Sequence, residues 1–223
     1  MNDLFLSLKL PCLETLYLTL IPLFFSVIFG FFIGTLIFIS SSESGVFDNN
    51  DFILLKFIHF LADSFVNIFR AIPYIILLIW LIPLAKLLTG HMLGTSAAIP
   101  SLVISATPFF ARMVVIAFNE VNKGTIEASR AMGASLWTII WKVLIRESSP
   151  ALISGICVTG INLVSYSAMA GAIGSGGLGF AAYNSGLVRK NNLIFYGSVA
   201  LILLLVFTLQ WLGDKITKNI DKR

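Results

Sequence analysis

Few residues in this chain have the types and spacing that bond-making chemistry needs. The two histidines, His59 and His91, stand apart from any carboxylate or thiol at ligand spacing, so no metal site is expected. The two cysteines, Cys12 and Cys157, form no CxxC pair and read as small side chains within or beside apolar stretches. No serine, histidine and carboxylate gather into a nucleophilic triad, and no pair of carboxylates suggests acid–base work. A phosphate-cradling loop of the GxxxxGK[ST] type is also missing from the sequence. The expectation is a chain that is not an enzyme. What remains is recognition, and its residues sit in 121–150, the one long polar and charged stretch, where Glu127-Ala128-Ser129-Arg130 is followed by Gly133. Gly124 should break the chain and Thr125 should cap a helix starting at Ile126, with Glu127 at the positive end of its dipole. Ala128, Ala131, Gly133 and Ala134 offer a small-residue surface that another protein could approach closely. Beyond them Leu136, Trp137, Ile140 and Leu144 recur at helical spacing, as a connector lying on the membrane or the bundle would require.

The elements that position this stretch are membrane spans. Of 223 residues, 57% are apolar and only 12% charged, and the mean hydropathy is +0.94. A soluble domain carries about a quarter charged residues, so the composition is that of an integral membrane protein. The net charge of +4 then reads as lysines and arginines facing anionic lipid rather than nucleic acid. Apolar stretches predict five helical spans at about 16–40, 56–88, 95–118, 150–173 and 193–212, within one domain covering 1–223. No short apolar region with a cleavage site marks a signal peptide, so the first span is expected to stay. A polar loop is expected at 41–51, the stretch 52–70 reads either as an amphipathic helix at the interface or as the sunken start of the second span, and Pro73 and Pro83 are expected to be absorbed within that span.

Five spans place the 41–56 loop, the charged stretch and the C-terminus on one side. That side carries Lys56, Lys123, Arg130, Lys142, Arg146, Lys215, Lys218, Lys222 and Arg223, against Lys9, Lys86, Arg189 and Lys190 on the other. The excess predicts a cytoplasmic C-terminus and an N-terminus outside, in a plasma or bacterial inner membrane.

Within the spans, Arg70 and Arg112 must snorkel, pair or meet water, either as anchors near the inner mouth or as structural or gating charges; Asp63 and Glu120 are the candidate partners. The fourth span carries Asn162, Ser165, Tyr166, Ser167 and Met169 ahead of a glycine-rich stretch. Small residues four apart, Ser167 with Gly171 and Ala170 with Gly174, fit close helix packing; the polar groups equally fit the wall or gate of a solute path.

The pattern Glu127-Ala128-Ser129, Gly133, Val143-Leu144-Ile145 resembles the EAA loop of the permeases of ATP-binding-cassette (ABC) importers. That motif reads Glu-Ala-Ala, three residues, Gly, nine residues, Ile-x-Leu-Pro; here Ser129, Val143 and Ile145 replace family residues and Arg146 stands where the proline would. The break before the fourth span is then expected at Pro150. Arg70-Ala-Ile-Pro73, Pro108-Phe-Phe-Ala-Arg112-Met113, Tyr166-Ser-Ala-Met-Ala-Gly171 and Gly174-Ser-Gly-Gly-Leu-Gly179 are similar to the methionine-type members, over about residues 65–215. The resemblance implies a type I importer permease that pairs with itself. It also implies two ATPase subunits, which hold ATP and Mg²⁺, and an extracytoplasmic binding protein that delivers methionine, with L against D left open. On that reading Glu127, Ala128, Ser129, Arg130 and Gly133 couple the permease to the ATPase, and this chain itself holds no cofactor. Three rivals make other predictions: a permease of the same fold for another small solute, an ATP-independent channel or carrier, and a scaffold that transports nothing.

Overall fold

The computed structural model describes residues 2–41 and 53–220, with side chains from Ser7 onward; beyond Ser41 the expected polar loop lies outside the described residues. All regular structure among them is helical: α1 (Asn2–Ser40), α2 (Ile53–Ala71), α3 (Tyr74–Trp80), α4 (Ile82–Thr89), α5 (Thr95–Asn119) and α6 (Lys123–Ala131). Then come α7 (Leu136–Ser175), α8 (Gly177–Tyr183) and α9 (Asn192–Ile220). Four of these are long and apolar enough to cross a membrane: the Ser7–Ser40 part of α1, α5, α7 and α9. α2 and α3 reach that length only together, as a fifth passage bent by 103°.

α5 is the central post, with 67% of its apolar window buried, whereas α9 lies at the edge with 6%. The α1–α5 contact explains how backbones come together without a hydrophobic drive between helices in lipid. Ser26, Gly30 and Gly34, four apart, put one small-residue face of α1 against α5. A Cβ on Gly30 would stand 2.8 Å from the Thr107 carbonyl oxygen, and one on Gly34 2.5 Å from that of Ala111. The Ser26 hydroxyl donates to the Val103 carbonyl at 3.4 Å. At the other side of the bundle Gly213 of α9 leaves room for Cys157 of α7.

Three expectations about boundaries are corrected. The stretch 56–88 is not one continuous helix but three, the first break falling at Pro73, which cannot donate and forces the residue before it out of the α region. Pro83, in the first turn of α4, is by contrast accommodated where its missing donor is not needed. Pro150 makes no break: α7 begins at Leu136 and runs through it. The missing N–H of Pro150 leaves the Arg146 carbonyl without its helical donor, and the Ser149 hydroxyl donates to that oxygen at 3.0 Å instead. Finally, α6 starts at Lys123, capped not by Thr125 but by the Asn122 side chain, which accepts from Gly124 N–H at 2.8 Å. Gly124 therefore lies in the first turn rather than breaking the chain.

Candidate functional site

α6 is a short polar helix that hangs from the end of α5, and one residue keys it into the bundle. Ile126 is 1% exposed and packs in a cluster with Phe38 of α1, Phe118 of α5 and Ile139, Ile140 and Leu144 of α7. Phe118 takes edge-on contacts from both Phe31 and Phe38. A force on α6 is thus delivered to the ends of three spans at once. Sequence reasoning missed Ile126 as the key, although a lone large apolar residue in KGTIEASRA was a readable sign of a buried contact. Ile126→Ala is expected to lower the stability of the purified protein by about 2–4 kcal/mol, and Ile126→Val by about 1 kcal/mol or less. Thermal unfolding in detergent measures both.

The other residues of the segment divide by face. Glu127, Ala128, Ala131 and Gly133 are exposed together, while Ser129 turns inward and its hydroxyl donates to the Thr125 carbonyl at 2.7 Å. Arg130 is half-buried. The helix ends in a Schellman turn: Gly133 N–H donates to the Arg130 carbonyl at 2.8 Å and Ala134 N–H to that of Ser129 at 3.1 Å. Gly133 sits at φ +78°, and a Cβ there would meet nothing within 4 Å. Gly133 therefore stops the helix and at the same time leaves a bare spot on its exposed end. Met132, Trp137 and Trp141 are exposed large apolar side chains of the same segment, at 81%, 67% and 58%.

The expected stripe Leu136, Trp137, Ile140, Leu144 is split. Ile140 and Leu144 are in the core, but Leu136 and Trp137 are not. Leu136 and Trp137 form the first turn of α7, ahead of the wide π turn at Ile139–Leu144 whose apolar side is buried.

Further along α7, Ser154, Val158, Ser165, Met169 and Ala172 are exposed at helical spacing, with Asn162 half-exposed among them. Asn162, Ser165 and Met169 thus share one open face. Tyr166 lies beside it, stacked on Tyr74 of α3 with ring centroids 4.7 Å apart. The Tyr74 hydroxyl is 3.4 Å from that of Ser101. Ser167 is not on this face: it is buried and donates to the Val164 carbonyl at 2.7 Å.

Where α7 ends, the glycine-rich stretch folds back on it. The Cβ positions of Gly171 and Gly179 are taken by backbone, the first by Phe180 N at 2.5 Å and the second by Ala168. Gly176 and Gly177 adopt φ +81° and +78°. The freed N–H groups at the start of α8 are met from α1: Gly177 N–H donates to the Glu14 carboxylate at 2.6 Å, and Leu178 N–H to the Thr15 hydroxyl at 2.8 Å. Neither Glu14 nor Thr15 was legible as a site residue, since their partners lie 163 residues away in the chain.

The two arginines of the helices at 53–71 and 95–119 differ in their partners. Arg112 pairs with Asp63 of α2 at 3.4 Å, and Asp63 also accepts from the Asn67 amide at 2.8 Å. Glu120 is exposed at the end of α5, and Arg70 is exposed at the end of α2, with no ion pair among the described residues. His59 ties α2 to α1 through its Nδ1, 3.1 Å from the Ile37 carbonyl oxygen. No group of three or more metal-ligating side chains occurs among the described residues.

The small helical membrane bundle, with a polar helix keyed across the ends of three spans, has the fold of the membrane-spanning subunit of an ABC importer, as its matches to known proteins show. The chain belongs to the family described as binding-protein-dependent transport system inner membrane components, whose pattern matches residues 53–223. It is similar to the methionine import system permease protein MetP of Bacillus subtilis (strain 168), 52% identical over 75% of this chain and 76% of that one. It is also similar to a probable D-methionine transport system permease protein MetI of Haemophilus influenzae, 39% identical over 94% and 95% of the two chains. Among solved structures, an inward-facing form of the MetNI methionine ABC transporter matches with TM-score 0.86 at 39% identity, over 94% of both chains. An amino acid ABC transporter with histidines matches at TM-score 0.75 and 20% identity, a likeness of fold alone, over 98% of this chain and 94% of that one.

Proposed function

We propose that this chain is the permease subunit of an ABC importer that moves methionine into the cell. The observation that carries the reading is α6, whose outer face is free for a partner while Ile126 locks its inner face to α1, α5 and α7. The 52% and 39% identities to methionine permeases support the substrate. The chain works as a homodimer with two ATPase subunits, which bind ATP and Mg²⁺, and it receives its solute from an extracytoplasmic binding protein. Glu127, Ala128, Arg130 and Gly133 couple to the ATPase, with Glu127 or Arg130 meeting its side chains, while Ser129 bonds inward within the helix.

The excess of lysine and arginine on the α6 side sets the orientation, with the C-terminus in the cytoplasm and the N-terminus outside. Closure of the ATPase pair on ATP draws the two α6 helices together. The cluster around Ile126 transmits that movement, and the bundles rock between inward-open and outward-open forms. Asn162, Ser165 and Met169 line the path on α7, with Tyr166 at its edge, and the glycine turn held by Glu14 closes the outer end.

Proteoliposomes holding this chain, its ATPase and its binding protein should take up labelled methionine only with ATP. ATP-driven uptake of another solute in place of methionine would keep the machine and discard the substrate. Uptake indifferent to ATP would overturn the importer reading.

A further inference from the structure

α2 has three faces, and only two of them suit a helix in a membrane. Ala62 and Val66 pack against Ile37 of α1 and Ala111 and Val115 of α5. Leu54, Phe57, Leu61, Phe65 and Ile68 form an exposed apolar face fit for lipid. The third face carries Lys56, His59, Asp63, Asn67 and Arg70, spaced so that all five fall within roughly 80° of the helix circumference at ~100° per residue. Lys56, Asn67 and Arg70 are exposed and the other two are half-buried.

The ends of this stripe can snorkel, since lysine and arginine have long stems. Its middle cannot. Asp63 and Asn67 are short, and the Asp63 and Arg112 side chains keep 31% and 39% of their surface open. Their single contact is 3.4 Å long. A half-open ion pair with a neighbouring amide is costly against hydrocarbon, so such groups in a span face water or a cavity. At its upper end α2 leads, through Pro73, to Tyr74, which stacks on Tyr166 beside the open face of α7.

We infer that the polar stripe of α2, with Arg112, is a wetted wall of the solute path, and that the Asp63–Arg112 pair is a station for a zwitterionic amino acid. Asp63 and Arg112 exchange their long mutual contact for the α-ammonium and α-carboxylate of the solute, and Asn67 offers a further polar contact beside Asp63. The station recognises the amino-acid head, which every such solute shares, and leaves the side chain to the α7 face. This inference rests on the transport reading above for the class of its ligand.

The test uses the assembled complex in nanodiscs, with Cys12→Ala and Cys157→Ala removing the native thiols. Asn67→Cys is compared with Phe65→Cys in reaction with a charged, membrane-impermeant thiol reagent. A thiolate needs water to form and react, so the cysteine at 67 should label about tenfold faster or more. Saturating methionine, with binding protein and ATP, should slow labelling at 67 but not at 65. Adding Arg112→Gln should abolish that protection while the cysteine at 67 stays reactive, and Arg112→Lys should retain part of it. Equal, slow labelling at both positions would overturn the wetted wall. Fast labelling at 67 that methionine leaves unchanged would overturn the station. Labelling is read without transport, so a complex in which 67 labels faster than 65, another amino acid protects in place of methionine and no methionine is taken up would sink the substrate reading and leave the wall and station standing.

Discussion

Gly133→Asp should abolish most ATP-driven uptake while leaving the bundle folded. The position is exposed, and a Cβ there meets nothing within 4 Å, so the new side chain fits. Its φ of +78° disfavours most residues, but asparagine and aspartate tolerate the left-handed region best after glycine. The Schellman turn that ends α6 is therefore retained at a penalty of about 1 kcal/mol. The damage lies in docking: an unpaired carboxylate enclosed against the ATPase weakens the contact by about 2 kcal/mol or more, roughly thirtyfold. Gly133→Asn is the control, with the same shape and no charge, and it should keep most of the transport. Uptake and ATPase assays on both variants decide the matter. Normal transport by Gly133→Asp would sink the assignment of Gly133 to the docking face.

Gly179→Val is expected to have the largest effect on assembly. The Cβ position of Gly179 is occupied by the backbone of Ala168, with the Ala168 carbonyl oxygen at 2.5 Å, and backbone cannot rotate out of the way as a side chain can. On the reverse side Gly171 faces Phe180 N at the same distance, so the two strands of this turn interlock with no spare volume. Overpacking of this kind destabilises by about 3 kcal/mol or more, which lowers an apparent melting temperature by roughly 6–12 °C for a chain of this size. Ala172→Val, an exposed neighbour, should change neither melting nor expression. If Gly179→Val melts like wild type, the close approach at the glycine turn is not what holds it.

Both variants act at the ends of α7, one at the turn that precedes it and one at the fold-back that follows it. That helix continues through Pro150 because Ser149 takes over the carbonyl that Pro150 leaves unsatisfied, an event as local as the run Ser148-Ser149-Pro150. The sequence nonetheless predicts a break there. A proline signals a lost donor, and only the neighbouring geometry shows whether another group replaces it. Pro73 had the same sequence signal and the opposite outcome, a bend of 103°. The two differ in what surrounds them, not in the residue.

Composition and apolar run length were enough to determine that the chain is a helical membrane protein, because an apolar stretch of about 20 residues has few other stable fates in a bilayer. The residues around Glu127 and Gly133 were enough to locate a polar helix and its glycine stop, since both are written in consecutive positions. Tertiary structure alone decided which residues of that segment face out, and it turned Ser129 inward. It also decided that Ile126 joins three spans, that Glu14 and Thr15 hold a turn 163 residues away, and that Arg112 meets Asp63 rather than Glu120. Local periodicity records which side of a helix is apolar. The partner that each side meets depends on helix rotation and crossing, which small residues such as Gly30 and Gly34 permit but which no single segment specifies.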